Sequence, residues 1–484
     1  MKRTVIVVGA GITGLTAAYA LSKTSSSQVM LLESGASIGG KIATERRSGC
    51  LLELGPDTIH DRTGIVYALL AELGLIKDVV VPLAGVNSIL HQGALYGVDN
   101  GIMGSLTGQA RALWSTKAVS LRGKLRAVLG NFTSPKVSVG DISIADYARA
   151  RWGKEFSQVV VEPLLAGMLG GGGARLSMKA LYPHLINHKV RGEGSRARPR
   201  VFRKVPPIFA LKHGLSSMVQ ALRAQLPREA LQVRARVKRV DLNHDGKGVK
   251  LELESGKVLT ADACIVATPA YESAKLLAHS LPDEASVLSS IPFASTVSVT
   301  LGFPLDLKSN IPRGNGFIGT EVSDSMIGTC SLSSRKWPGR SPREILLARC
   351  FPSRKINDRC LTYSDEKLSQ LFVSELRKIF SDIPQPLFVR IKRWEQAVPQ
   401  YELGHIEKVK RLEGFEEMHP ELRFAGASFR GSSVASCVRD AQRVANKIHF
   451  VLTTLQSKGD ITTDRTEEQL SPSKYDRTKE LQNA

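Results

Sequence analysis

The residues best suited to chemistry stand near the start of the chain. Gly9, Gly11 and Gly14 occur in the GxGxxG order within VVGAGITGL. The first glycine permits a tight turn, the second lets backbone approach a pyrophosphate, and the third allows a helix to pack closely on a strand. Ala10, Ile12 and Thr13 complete the turn, at a helix N-terminus whose amide donors and dipole favour phosphate. Glu33 follows Gly14 by nineteen residues at the end of an apolar run, where a carboxylate accepts hydrogen bonds from ribose hydroxyls. The chemistry implied is dinucleotide binding, and NAD and FAD both fit this much.

Such a turn needs a strand and a helix to hold it. The run TVIVVGAGITGLTAAYAL divides into a buried strand over Thr4–Val8, the glycine turn, and an alanine-rich helix from about Gly14. Gln28–Leu32 reads as the second strand. Three glycines argue against taking the same stretch, which follows Met-Lys-Arg, for a signal peptide or a spanning helix. Further along, LQVRARVKRVDL and VKLELESGKVLTADACIVATPA read as alternating strands with a Ser-Gly turn and then a buried strand. Val297–Phe303 and Ile345–Phe351 are strand-like, and Ser364–Phe380 has helical amphipathic spacing.

The chain has 484 residues, enough for two to four domains, and its 42% hydrophobic and 23% charged residues exclude collagen, a disulfide miniprotein and general disorder. A mean hydropathy of −0.07 excludes a polytopic membrane protein. No two of the six cysteines stand at CxxC spacing, so no zinc site, other metal site or dithiol centre is expected, and the compartment reads as reducing and cytoplasmic.

The net charge of +21 requires a negative partner. Residues 100–140 hold six basic residues and no acidic one, and residues 189–204 hold seven basic residues against Glu193 alone. Leu106, Leu113, Trp114, Leu121, Leu125 and Leu129 interleave with the first set at near-helical spacing. That pattern fits a helix lying on an anionic membrane surface, and equally an amphipathic helix packed on a neighbouring domain. Nucleic acid is not expected as a partner, because no zinc-finger, RNP or basic-zipper pattern occurs. Residues 456–484 are polar and charge-balanced, and read as a disordered tail.

After Glu33 the chain continues SGASIGGKIATERRSGCLLELGPDT, with Gly39-Gly40-Lys41 and then Gly55-Pro56-Asp57-Thr58. This resembles the large FAD-dependent family of amine oxidases, phytoene desaturases and protoporphyrinogen oxidases. There a second glycine pair helps hold the diphosphate and the Gly-Pro segment lies beside the flavin. VVEPLLAGMLGG (160–171), RKWPGRSP (335–342), VPQYELGHIEKV (398–409) and FAGASFRGSSVASC (424–437) follow in the order of one branch. Together they resemble the oxygen-dependent protoporphyrinogen/coproporphyrinogen oxidases of haem biosynthesis in their bacterial form.

The resemblance implies an α/β protein with a discontinuous Rossmann-like FAD-binding domain over 1–85, 205–272 and 385–452. A helical, basic, membrane-associating domain over 86–204 and a mixed-sheet substrate domain over 273–384 complete it. It implies oxidation of a porphyrinogen to the porphyrin in three two-electron steps, with non-covalent FAD, dioxygen as acceptor and hydrogen peroxide as product. No catalytic side chain is required. Besides porphyrinogen and dioxygen, it implies a downstream haem-pathway enzyme as partner and a location on the cytosolic face of the membrane. Further flavin contacts are implied at Val237, beside the adenine, at Ile406, and at Ser432, Ser433 and Val434. Gly167, Met168 and Ile327 match positions lining the macrocycle cavity. Two departures stand out. Relatives place a propionate-anchoring arginine where this chain has Ser88, leaving His91 or Arg349 to compensate. They also often read GVGLPDC or GVAVNDC where this chain reads GSSVASC. A flavin amine oxidase and a non-catalytic flavoprotein remain alternatives, and the porphyrinogen is either protoporphyrinogen IX or coproporphyrinogen III.

Overall fold

In the computed structural model, residues 3–24, 27–98, 116–132, 140–186, 206–243, 248–305, 314–381 and 383–467 are described. The strand Arg3–Val8 is the centre of a five-stranded parallel sheet. It pairs on one side with Ser27–Leu32 and on the other with Ala263–Val266, and Leu231–Gln232 and Leu422–Phe424 form the edges. Alternation along the central strand explains its position. Val5 and Val7 enter one core with Leu15, Val444 and Ile448, while Ile6 and Val8 enter a second core with Val240, Leu251 and Phe424. Where the strand is buried on both faces, over residues 5–8, it carries no polar position, and Arg3 and Thr4 fall in its half-buried start. The helix Ile12–Ser22 is the crossover, and the Gly9 amide closes the turn by donating to Leu32 O at 2.8 Å. Gly9 has φ +99°, and a Cβ at Gly14 would overlap Gly9 O, so both glycines are required sterically.

Over this crevice lies a seven-stranded mixed sheet. In spatial order its strands are Phe388–Pro399, Phe293–Pro304, Ile345–Pro352, Ile327–Leu332, Gly314–Gly319, Val86–His91 and Ala94–Val98. The helix Asp365–Ile379 backs it, capped by Ser364, whose hydroxyl accepts from the Lys367 amide, and buries Leu368, Phe372 and Leu376.

Three boundaries differ from the sequence expectation. The hairpin Val86–His91/Ala94–Val98 joins this roof sheet, pairing in parallel with Gly314–Gly319, and is not part of a helical unit. Phe388–Pro399 pairs with Phe293–Pro304, so the roof also takes the start of the third FAD-domain segment. The last helix runs Val434–Glu467, past the start of the expected tail. Extending a helix already nucleated on buried Val438, Ala441 and Val444 costs little, whatever the composition of the added turns. Residues 468–484 lie outside the described residues.

The helix Glu162–Leu169, entered through a π-helical turn over Ser157–Val161, packs on the roof strands Gly314–Gly319 and Ile327–Leu332, and the helix Ile144–Trp152 shares a core with Ile89 and Val98 of the roof hairpin. Of the basic segments, the helix Leu121–Phe132 is described, whereas 99–115, with Leu106, Leu113 and Trp114, and all of 189–204 lie outside the described residues.

Candidate functional site

A cavity of about 1150 Å³ runs from the C-terminal edge of the parallel sheet to the space between the roof and the helix Glu162–Leu169. That sheet edge is where open α/β sheets bind ligands. Gly9, Gly11, Ile12, Thr13, Glu33, Gly40 and Lys41 line its first part. Gly11 caps the helix Ile12–Ser22 without a side-chain cap, and a Cβ placed there would meet nothing within 4 Å. The amides of the first helical turn therefore face open space of the kind a diphosphate fills. Ala10 and Gly14 do not reach the cavity and act beneath it. The Ala10 amide donates to Glu33 Oε2 at 2.9 Å, the Gly35 amide donates to Oε1 at 2.8 Å, and the carboxylate is thereby fixed in the wall. Arg236 and Val237 lie in the same wall.

The second glycine pair extends the cradle. Gly39 donates to Ala10 O at 2.8 Å, and a Cβ at Gly55 would overlap Lys41 O, so the two loops touch through backbone. Burial lowers the pKa of the Lys41 ammonium, which lies 5.6 Å from the Phe293 ring centroid and forms no ion pair among the described residues. A buried cation without a carboxylate partner fits an anionic ligand. Together with the open helix N-terminus, it means that the residues present fit a dinucleotide.

Beneath Gly55-Pro56-Asp57 is a buried charge cluster. Arg349 donates through Nη2 to Leu54 O at 3.1 Å and Gly55 O at 2.6 Å, and through Nε to Ser298 Oγ at 3.0 Å. Trp394 Nε1 also donates to Leu54 O, at 2.7 Å. Lys336 Nζ donates to Thr58 Oγ1 at 2.8 Å and stands 3.6 Å from Asp57 Oδ2. Burial alone would raise the Asp57 carboxyl pKa, but Lys336 and Arg349 outweigh it and hold the pKa well below the usual carboxylate range. Glu53 pairs with Arg340 at 3.4 Å, both nearly inaccessible, and burial raises its pKa despite the Leu215 amide and Arg340. The Gly-Pro turn is thus held from below by fixed cations, and Gly55, Pro56, Asp57 and Thr58 face the cavity above them.

At the C-terminal motif, Ser432, Ser433 and Val434 line the cavity. Ile406 does not, because its helix, His405–Met418, packs into the neighbouring core through Val409, Leu412 and Phe415. The PQYELGH run acts through other residues. Tyr401 donates to Ala427 O at 2.6 Å and accepts from the Gly431 amide at 2.8 Å, so it pins both ends of the loop that precedes Ser432. His405 stacks on Tyr401 at 3.9 Å, with Nε2 3.0 Å from Phe429 O.

In the roof end, Gly167 lines the cavity. A Cβ there would press on Thr329 Oγ1, so glycine lets this helix approach the strand Ile327–Leu332. Met168 is in the same helix, but its side chain lies outside the described residues. Ile327 is not in the cavity wall. It is 1% exposed in the core behind the roof, and Gly328, Thr329 and Ser331 of its strand face the ligand space. Neither proposed stand-in for the arginine missing at Ser88 is open. His91 is bonded to Thr320 Oγ1 at 3.0 Å, and Arg349 is committed to the Gly-Pro turn. Sequence reading passed over Arg236, Thr268, Lys336, Arg354 and Lys355, all of which line the cavity. Lys336 and Thr268 lie within quoted motifs, RKWPGRSP and ADACIVATPA, whereas Arg354 and Lys355 carry no motif.

Comparison with known proteins agrees with this geometry. The family model described as flavin containing amine oxidoreductase matches residues 12–449. The chain is 28% identical over 455 residues to coproporphyrinogen III oxidase of Bacillus subtilis, covering 90% of this chain and 96% of that protein. It is 27% identical to coproporphyrinogen III oxidase of Staphylococcus aureus, covering 93% and 99%. Among solved structures, the "Putative protoporphyrinogen oxidase" of Exiguobacterium superposes with a TM-score of 0.79 at 27% identity, over 93% of this chain and 99% of that one.

Proposed function

Because the chain belongs to the flavin containing amine oxidoreductase family, a flavoenzyme family whose FAD the cradle above suits, we propose that it oxidises a porphyrinogen to the porphyrin. The observation that carries this reading is the continuity of one cavity from the dinucleotide crevice to an apolar slot under the roof, bordered by Leu164, Gly167, Phe317 and Phe351. The relatives named as coproporphyrinogen III oxidases support it, since they align along nearly the whole chain. When bound, FAD supplies hydride acceptance in three two-electron steps, with dioxygen as the final acceptor and hydrogen peroxide released. The chain's part is to hold and orient. Glu33, Gly11 and Lys41 fix the nucleotide end, the cluster of Arg349, Lys336 and Asp57 fixes the turn at the other end, and the slot excludes water from the macrocycle. The test is anaerobic mixing of the yellow protein with each porphyrinogen. Bleaching of the flavin band with growth of porphyrin fluorescence is expected. Bleaching by amines and by neither porphyrinogen would assign the amine oxidase alternative instead.

The reading includes peripheral attachment to an anionic membrane through the helix Leu121–Phe132. That helix packs inward through Gly123, Ala127 and Gly130, where a Cβ at Gly130 would overlap Arg151 O. Leu121, Leu125 and Leu129 therefore point outward at i, i+4 and i+8, with exposures of 62%, 48% and 62% beside exposed Arg122. No helix among the described residues is long and apolar enough to cross a membrane.

A further inference from the structure

The roof end of the cavity holds a guanidinium outside the dinucleotide cradle described above. Arg354 follows the strand Ile345–Pro352 and lines the ligand space with Lys355 and Glu321. Its position depends on a distant glycine. A Cβ at Gly172, in the run Gly170–Gly173 after the helix Glu162–Leu169, would overlap Arg354 Nη1, so the side chain lies flat across that backbone. Glu321 Oε1 stands 3.5 Å from Nε and takes only that edge of the fork. Among the described residues neither terminal nitrogen makes a hydrogen bond, and the side chain keeps half of its exposure. Lys355 Nζ beside it is 3.9 Å from Asp324 Oδ1, a carboxylate fully in solvent, and this pair contributes little. Arg354 is thus a guanidinium seated in the cavity wall with both terminal nitrogens available, the geometry that receives a carboxylate.

Resting on the porphyrinogen reading, we infer that Arg354, assisted by Lys355, binds a carboxylate of the substrate and selects the more carboxylated porphyrinogen. Protoporphyrinogen IX carries propionates on two neighbouring rings and vinyl groups on the others. Coproporphyrinogen III carries a propionate on every ring, so it presents carboxylates to opposite edges of the slot. Of the two cations here, Lys336 by the Gly-Pro turn is already held by Thr58 and Asp57, whereas Arg354 by the glycine run keeps its terminal nitrogens for a ligand. A vinyl group against Arg354 would bury a cation beside an apolar group, whereas a propionate there gains a charge-assisted pair.

The experiment measures KM and kcat of the FAD-loaded enzyme for both porphyrinogens in wild type, Arg354→Gln, Arg354→Lys and Gly172→Ala. Losing one charge-assisted contact should raise KM for coproporphyrinogen III about tenfold in Arg354→Gln, with kcat within about twofold. KM for protoporphyrinogen IX should change by less than about twofold on the same grounds. Gly172→Ala should reproduce the effect by displacing the guanidinium, and Arg354→Lys should recover part of it. Flavin absorbance unchanged in each variant shows that the nucleotide end is intact. Equal KM changes for the two substrates, or none, would overturn the role of Arg354 while leaving the oxidase reading in place. Turnover of neither porphyrinogen by wild type would remove the oxidase reading and this inference with it.

Discussion

Replacing Arg349 by Met tests whether the Gly-Pro turn is held from beneath. The side chain makes hydrogen bonds to Leu54 O, Gly55 O and Ser298 Oγ and helps neutralise Asp57. Leu54 O keeps its second donor, Trp394 Nε1, so the main losses are the donor to Gly55 O, the only one among the described residues, and one of the two cations nearest Asp57. A charge-assisted hydrogen bond contributes about 1.5–3 kcal/mol, and breaking a buried charge arrangement costs about 3–5 kcal/mol, so a loss near 3–5 kcal/mol is expected. Denaturant unfolding followed by release of flavin fluorescence measures it, with the 450-to-280 nm absorbance ratio reporting occupancy. Arg349→Lys should fall between, since an ammonium keeps the charge but cannot serve both carbonyls and Ser298 at once. The acid limb supplies a second readout. A carboxyl held below its ordinary pKa stabilises the fold above that pKa, and the stabilisation is lost as pH falls through the folded value. With Arg349 gone Asp57 is held mainly by Lys336, so acid unfolding of the Met variant should begin at higher pH than in wild type. A loss under about 1 kcal/mol with full flavin and an unmoved acid limb would refute the reasoning, since a single surface contact has that magnitude.

Gly11→Leu should lose flavin while the apoprotein keeps its thermal midpoint, because the side chain enters open space and meets only the ligand. A coloured variant would contradict the pyrophosphate placement. FAD should leave the protein on acid precipitation, and chromophore retained in the pellet would show a covalent link. All six cysteines are buried, and burial pushes the Cys437 thiol up to about 11, so the FAD-loaded protein should resist thiol reagents at pH 8; rapid labelling of cysteines other than Cys330 and Cys437, which line the cavity, would mean that the described fold opens. Leu125→Glu should reduce sedimentation with anionic vesicles, and high salt should do the same to wild type. This is a cleaner probe than reversing Arg126, whose guanidinium bonds Arg151 O and Ala150 O and caps the helix Ile144–Trp152.

What was legible in the sequence was local. The strand Arg3–Val8, the glycine turn and its helix follow from backbone sterics and two-sided burial, both written in consecutive residues. The helix Asp365–Ile379 was readable because its cap and its apolar spacing lie within one segment. Strand partners were not, since Val86–His91 finds Gly314–Gly319 across more than two hundred residues and no local pattern names that pairing. Ile327 failed by parity. In its strand Gly328 to Ser331 border the ligand space while Ile327 and Leu332 are buried behind it, and an irregularity between Ile327 and Thr329 breaks the alternation that would have put Ile327 on the side of Thr329. Arg354 was hidden for a related reason. Its availability depends on Gly172 lacking a side chain and on Glu321 occupying one edge only, contacts that join three separate stretches of chain. The cofactor cradle is built from backbone, so glycine spacing announces it. The substrate end is built from side chains brought together by the roof sheet, so charge there acquires meaning only once the strands are paired. The same distinction explains why Ser88 misleads when read alone. Loss of an arginine at one strand position says nothing about anchoring until the other cations that line the cavity, Arg354 among them, are known.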